Sequence, residues 1–548
     1  MAAQRIESTG EAYAYPLLIK QLLHAPLAHA ADQEIVYRDR VRLRYRDFHE
    51  RVQRLAGALA ALGVEPGDTV AVMDWDSHRY LEAYFAVPMM GATLMTVNVR
   101  LSPEQIAYTL QHCGAKALLV NAEFLALVEG IRAELDALQS VVLLSDADAK
   151  PDTSLALAGE YEALLGAAPK SCAFPDFDEN TRATIFYTTG TTGLPKGVAF
   201  SHRQLVLHTL AEMAFFASSA PGQCFRRDDV YMPITPMFHV HAWGLPYVAT
   251  AMGVKQVYPG RYDPATLIAL RQREGVSFSH CVPTILQMLL SAPTASRAAL
   301  AGWKMVIGGS ALPRALASAA LDMGIDVWAG YGMSETCPLL CTAQVKPELA
   351  EGSDDEVLDL RIKSGIRPPL VDVRVVDPEM RPLPADGRSA GEVVVRAPWL
   401  AQAYHRNPEA SVALWEGGWL HTQDIGTIDA EGYLQITDRM KDVIKTGGEW
   451  VSSLELEDLI GQMPQVVEVA VFAMKHEKWG ERPMALVVAR AGSEIDEAAV
   501  KQHVAAHAAL GHISKISVPE RVLFVAQIEK TSVGKFNKRR LRELYAGS

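Results

Sequence analysis

The chain has 548 residues, 49% of them hydrophobic and 21% charged, with a formal net charge of −12. That length exceeds what one hydrophobic core holds and implies two or more packed units. The negative charge disfavours nucleic acid as a partner, and no run approaches the ~18 apolar residues that cross a bilayer.

The N-terminal stretch lacks the basic start, apolar core and small-residue cleavage site of a secretory signal, which predicts a cytoplasmic protein. Six cysteines (Cys113, Cys172, Cys224, Cys281, Cys337, Cys341) without metal-ligand spacing predict reduced thiols, with neither zinc nor a redox role. Phe48, Val52, Leu55, Leu59 and Leu62 recur at three- and four-residue steps and predict a helix over 45–64, closed by the turn GVEPGD. TVAVM (69–73) is a short β-branched strand, and HRYLEAYFAVPMMGA reads as a helix closed by Pro and Gly. Apolar strands recur at 117–120, 140–144, 183–187, 230–234, 305–309 and 326–330, most of them separated by helical patterns. This is α/β architecture with largely parallel sheets. VDVRVVD (371–377) and GEVVVRA (391–397) then predict a small β-rich region. Beyond DRMKD (438–442), SSLELEDLIGQM, VVEVAVFAM, EAAVKQHVAAHAAL and ERVLFVA alternate helix and strand, enough for a separate α+β lid. The division expected is a large domain over 1–438 and a mobile lid over 439–548.

The most informative string is YTTGTTGLPKG, Tyr187 to Gly197, directly after the strand ATIF. Its hydroxyls and backbone N–H groups on a flexible turn, with the positive charge of Lys196, suit a triphosphate. The ordinary NTPase loop fails, because Pro195 precedes Lys196 and Gly197 follows it where Ser or Thr is needed.

In this loop the sequence resembles the adenylate-forming superfamily of acyl-CoA synthetases, firefly luciferases and peptide-synthetase adenylation domains. The likeness covers nearly the whole chain as an ordered set: the loop, PMFHVHAWG (236–244), GYGMSET (330–336), GGWLHTQDIGTID (417–429), DRMKDVIKTGGEWVSSLELE (438–457) and EKTSVGKFNKRRLRE (529–543). PMFHVHAWG looks especially like the medium-chain fatty acid and 3-methylmercaptopropionate ligases.

The resemblance implies ATP, Mg2+ and coenzyme A. Thr188, Thr189, Gly190, Thr191, Thr192 and Lys196 would cradle phosphates, with Glu335 and Thr192 at the metal. Gly309, Ser310 and Ala311, with Gly330, Tyr331, Gly332, Met333 and Ser334, would line the adenine. Asp424 would take the ribose hydroxyls and Arg439 reach ribose or phosphate. Many relatives carry Gly where Gln423 precedes Asp424. Lys535 would balance charge in adenylation, and Lys441 matches the hinge of a lid whose Gly447, Gly448 and Glu449 serve the thioester step. His239, Trp243, Cys281, Gly309 and Trp328 are the candidates facing the acid, with His239 also at the reacting carboxylate.

The acid itself stays open among short-chain, medium-chain, thioether and aryl acids, because a methylene is worth only ~1–3 kcal/mol of discrimination. A carrier-loading adenylation enzyme and a non-catalytic nucleotide or acyl binder remain alternatives. A luciferase-like oxidase finds little support. A homodimer is expected from the resemblance alone.

Overall fold

The computed structural model describes residues 6–147, 151–188, 194–446, 449–510, 513–530 and 536–546. Four sheets organise them. The first has seven strands in the order Gly159–Glu160, Ser140–Leu144, Ala115–Asn121, Thr69–Met73, Thr93–Thr96, Arg182–Tyr187 and Gly197–Ser201. Its neighbours run parallel except the last pair, an antiparallel hairpin that brings Tyr187 opposite Gly197. The second has eight strands, from Leu339–Thr342 through Asp326–Gly332, Lys304–Ile307, Phe278–Cys281, Val230–Pro233, Lys255–Tyr258 and Glu34–Tyr37 to Val41–Arg44. Its interior pairs are parallel and both outermost pairs antiparallel.

The helices follow their sequence signals. Tyr45–Ala61 buries Phe48, Val52, Leu55 and Leu59 on one face. His78–Met89 starts where the Ser77 side chain accepts the Tyr80 N–H, a cap worth about 1 kcal/mol. His202–Ala217 starts with a reciprocal Ser201–Gln204 capping box. The short strands Thr93–Thr96 and Phe278–Cys281 escaped the sequence reading because TLMT and FSHC mix polar with apolar residues. Both are nonetheless fully buried, and the polarity is matched by partners: the His280 ring lies 2.8 Å from the Tyr231 hydroxyl and 3.1 Å from that of Thr235.

The third sheet, of five strands, contains Asp372–Val376, Gly391–Arg396, Trp419–Ile428, Trp415–Glu416 and Leu434–Arg439. The fourth, also of five, holds Ile444–Thr446, Glu449–Val451, Val466–His476, Gly480–Ala489 and Arg521–Phe524. Here the structure adds to the helix–strand alternation expected of the lid. Gly480–Ala489 pairs along the whole length of Val466–His476, and the charge run after Asn537 forms the helix Lys538–Tyr545. Among the described residues no helix is long and apolar enough to cross a membrane.

Candidate active site

The phosphate-loop hairpin closes as its strands require. The Thr188 N–H donates to the Lys196 carbonyl at 2.9 Å, leaving Lys196 at the rim. Thr189, Gly190, Thr191 and Thr192 lie outside the described residues. The Lys196 ammonium sits 4.7 Å from the centroid of the Tyr404 ring, and the Tyr404 hydroxyl donates to Glu335 Oε1 at 2.6 Å. Tyr404 is held there by a bridge to Val198, and the next residue, His405, donates its N–H to the Gly197 carbonyl at 2.8 Å. Glu335 is 7% exposed. Burial pushes its carboxyl up, opposed by the Tyr404 hydrogen bond and by the Lys196 and Arg439 charges. Sequence reasoning found Lys196 and Glu335 and missed Tyr404, whose only signal is an aromatic in the irregular stretch AYHRN.

Asp424 and Arg439 face each other across the antiparallel strands Trp419–Ile428 and Leu434–Arg439. Asp424 Oδ1 lies 3.5 Å from Arg439 Nε, and Oδ2 accepts the Tyr331 hydroxyl at 2.8 Å. The carboxylate is thus oriented by two motifs far apart in sequence. Gln423 takes φ +59°, the left-handed region in which glycine has no penalty. The backbone at this position therefore keeps the shape that glycine favours.

Gly309, Ser310 and Ala311 follow the strand Lys304–Ile307, and Gly330, Tyr331 and Gly332 end the adjoining parallel strand Asp326–Gly332. Met333 and Ser334 continue from it, half-buried. The carboxyl ends of adjacent parallel strands are where open α/β sheets bind ligands. Internal packing also demands the glycines. A Cβ on Gly332 would lie 1.8 Å from the Pro338 carbonyl oxygen, and one on Gly308 would lie 2.9 Å from the Trp243 ring.

His239 is half-buried and follows the turn in which its N–H donates to the Pro236 carbonyl at 2.8 Å. Trp243 is buried against Gly308, with its ring 4.9 Å from that of His280. Trp243, Cys281 and Trp328 belong to one apolar core in the second sheet's layer. Within it Cys281 is fully buried, its thiol pushed up to about 12, and Trp328 packs edge-on to Phe278 at 6.1 Å. Behind the turn lie buried groups the sequence did not suggest: His208, Glu212 and His241. Burial lowers both histidines to about 3 and raises Glu212 to about 8. Neither Glu212 oxygen has a hydrogen-bond partner among the described residues.

Lys441 is exposed at the junction between the third and fourth sheets. Just before it, buried Asp438 accepts the Ser453 N–H at 2.6 Å. Just after it, Asp442 accepts both terminal nitrogens of Arg542 at 3.0 Å. Lys538 pairs with Glu457 at 2.7 Å and donates to the Ser453 hydroxyl at 2.6 Å. Lys535, Gly447 and Gly448 lie outside the described residues. The Glu449 backbone pairs with Thr446. Among the described residues no group of three or more His, Cys, Asp or Glu converges. Of the two residues expected at magnesium, Thr192 lies outside the described residues and Glu335 is a buried carboxylate that could take such an ion together with phosphate oxygens, an arrangement this ion accepts.

Two α/β layers, a cation at the hairpin after Tyr187, a buried carboxylate linked to it through Tyr404 and a carboxylate–arginine pair beside a smaller unit of strands and helices match the class of protein that the comparisons identify. The chain belongs to the AMP-binding enzyme family, whose model matches residues 23–405, with the family's C-terminal domain matching 455–535. It is 45% identical to a long-chain-fatty-acid–CoA ligase of Thermus thermophilus over 92% of this chain and 90% of that one. It is 36% identical to a 3-methylmercaptopropionyl-CoA ligase of Ruegeria pomeroyi, over 90% of each chain. ATP-bound MatB from Rhodopseudomonas palustris superposes with a TM-score of 0.83 at 26% identity, over 97% of this chain and 99% of that one.

Proposed function

We propose that this chain is an ATP-dependent, AMP-forming carboxylic acid:CoA ligase acting on a short- or medium-chain fatty acid or a related acid such as 3-methylmercaptopropionate. The observation that carries the reading is the linked row Lys196, Tyr404 and Glu335 beside the phosphate hairpin. A cation and a buried carboxylate share one phenol, poised for a triphosphate and its metal. In the first step the acid's carboxylate attacks the α-phosphorus and pyrophosphate leaves. Positioning and charge neutralisation carry such a reaction: Lys196 on the phosphates, Asp424 and Arg439 on the ribose, and Lys535 on the charge developing at phosphorus. His239 faces the carboxylate, and Trp243 bounds the chain.

In the second step the CoA sulfur attacks the acyl carbonyl and AMP leaves with the phosphate oxygen, while the thiol proton passes to solvent. A lid formed by 439–548 would turn about Lys441 between the steps, replacing Lys535 by the segment of Gly447, Gly448 and Glu449. Glu335 would hold the magnesium ion that accompanies ATP, and that ion would supply charge neutralisation for the departing pyrophosphate. The reading extends to a cytoplasmic homodimer, on the family resemblance.

The test is a panel of acids from acetate to hexadecanoate, with 3-methylmercaptopropionate, benzoate and several amino acids, following AMP and pyrophosphate with and without CoA. CoA-dependent AMP release with short or medium acids is expected. Adenylate without thioester would point to a carrier-protein acceptor, preference for hexadecanoate would overturn the chain-length assignment, and silence throughout would overturn the ligase reading.

A further inference from the structure

The turn that carries His239 is held from outside its own sheet. Asp76 lies beyond the end of the strand Thr69–Met73 and is 3% exposed. Its Oδ1 accepts the Met237 N–H at 2.9 Å, and its Oδ2 accepts the Tyr262 hydroxyl at 2.6 Å. The Tyr84 hydroxyl donates to the Met237 carbonyl, and the Thr96 hydroxyl donates to the Phe238 carbonyl at 3.0 Å. Asp76 is tied down in turn, because its own carbonyl accepts the Gly260 N–H at 2.8 Å. Side chains of the first sheet's layer thus grip the backbone of Met237 and Phe238, immediately before His239.

The backbone just beyond His239 gives the reason for such a grip. Val240, His241, Ala242 and Trp243 have φ of +46°, +56°, +47° and +59°, and Gly244 continues at +74°. In a left-handed residue other than glycine the Cβ crowds the following carbonyl oxygen, which strains the backbone. Consecutive ones persist only where the surroundings over-determine them. The C-terminal end of the run is sterically boxed, since a Cβ on Gly244 would lie 2.9 Å from the His208 ring. Its N-terminal end depends on hydrogen bonds. Of the three anchors there, Asp76 alone is an acceptor, taking the Met237 N–H, while Tyr84 and Thr96 donate to the Met237 and Phe238 carbonyls.

We infer that Asp76 is a positioning residue for acyl activation: it fixes the Pro236–His239 turn and the strained run behind it, and so sets where His239 and Trp243 meet the substrate acid. The inference rests on the ligase reading and on those two residues facing the acid. A residue that merely supports the fold would affect acid and ATP alike, whereas Asp76 bears on the acid's side of the site.

The experiment measures kcat and KM for the acid and for ATP separately in wild type, Asp76→Ala and Asp76→Asn, using the best acid of the panel. Asn keeps an oxygen to accept the Met237 N–H. Asp76→Ala is expected to lose about tenfold or more in kcat/KM for the acid while KM for ATP stays within about twofold, and Asp76→Asn is expected to recover most of the loss. An unaltered Ala variant, a parallel rise of KM for ATP, or an Asn variant as impaired as Ala would overturn the assignment. If Asp76→Ala does not fold, Asp76→Ser, too short to span the contact to Met237, takes its place with the same expectations. Wild type that turns over no acid would overturn the ligase reading itself, so the two failures are distinct.

Discussion

The wall of the site in the large domain and the junction with the lid hold their functional groups by different means. Around His239 and Glu335 the ties are hydrogen bonds donated by Tyr84, Tyr404 and Thr96 and accepted by Asp76, three of the four made with backbone. Around Lys441 the ties are ion pairs: Asp442 with Arg542, and Lys538 with Glu457. Buried contacts onto backbone set one geometry and keep it. The Asp442–Arg542 pair, whose arginine is partly exposed, can exchange partners at small net cost because water and other charges compete for it, whereas Lys538–Glu457 is largely buried and joins the helices Ser453–Gly461 and Lys538–Tyr545. The first arrangement suits a surface that must keep one shape, and the second would suit the turning lid proposed above.

The contrast is broken most sharply through the lid. Lys535→Ala should lower pyrophosphate release by about 100-fold or more while sparing conversion of supplied acyl-adenylate and CoA to thioester. Equal loss of both halves would remove Lys535 from the adenylation step. Lys441→Pro should do the reverse, leaving pyrophosphate release intact and impairing thioester formation, since proline restricts the rotation assigned to that residue. Rapid-quench assays of each half-reaction read both outcomes.

A smaller effect is expected on stability. Lys538→Ala leaves Glu457 buried without its cation and should destabilise the lid by about 3 kcal/mol. Limited proteolysis should detect early cleavage beyond residue 443, with the large domain melting as in wild type. Concerted melting of the whole chain would show that the lid does not unfold separately.

The wall can be probed through Glu212, whose folded value of about 8 lies above the ordinary glutamate value near ~4.3. The folded chain therefore keeps a proton that the unfolded chain releases, so the stability this group contributes is complete at low pH and is lost as pH rises through about 8. Glu212→Gln should gain melting temperature relative to wild type between pH 5 and pH 8. A difference independent of pH would mean that Glu212 is ionised in the fold. The smallest effect belongs to Gln423→Gly. It relieves a left-handed residue at some entropic cost and should stabilise by about 0.5 kcal/mol, read by denaturant titration at unchanged KM for ATP.

Much of the architecture was legible because local signals agreed with tertiary demands. TVAVM and SVVLL form strands over the expected residues, and the period of Phe48, Val52, Leu55 and Leu59 is the buried face of a helix. TLMT and FSHC were not legible, since their burial depends on partners supplied by other segments. The site divides in the same way. Lys196, Glu335, Asp424 and Arg439 were found through ordered motifs. Tyr404, which joins Lys196 to Glu335, and Asp76, which holds the turn before His239, carry no local pattern. The glycines of GYGMSET were legible as close-approach positions, but part of what approaches them is the chain's own strand Leu339–Thr342.

By itself the sequence determined the α/β class, the family and many of the elements, and it proposed the chemistry-bearing side chains, because periodicity and motif spacing are properties of neighbouring residues. Only the tertiary structure decided which distant groups share a hydrogen bond, that Gln423 sits where glycine would be at ease, and that four left-handed residues come directly after His239. Those outcomes depend on segments far apart in the chain, as with Asp76 and Tyr262, which are separated by 186 residues. No local propensity records which of them will meet.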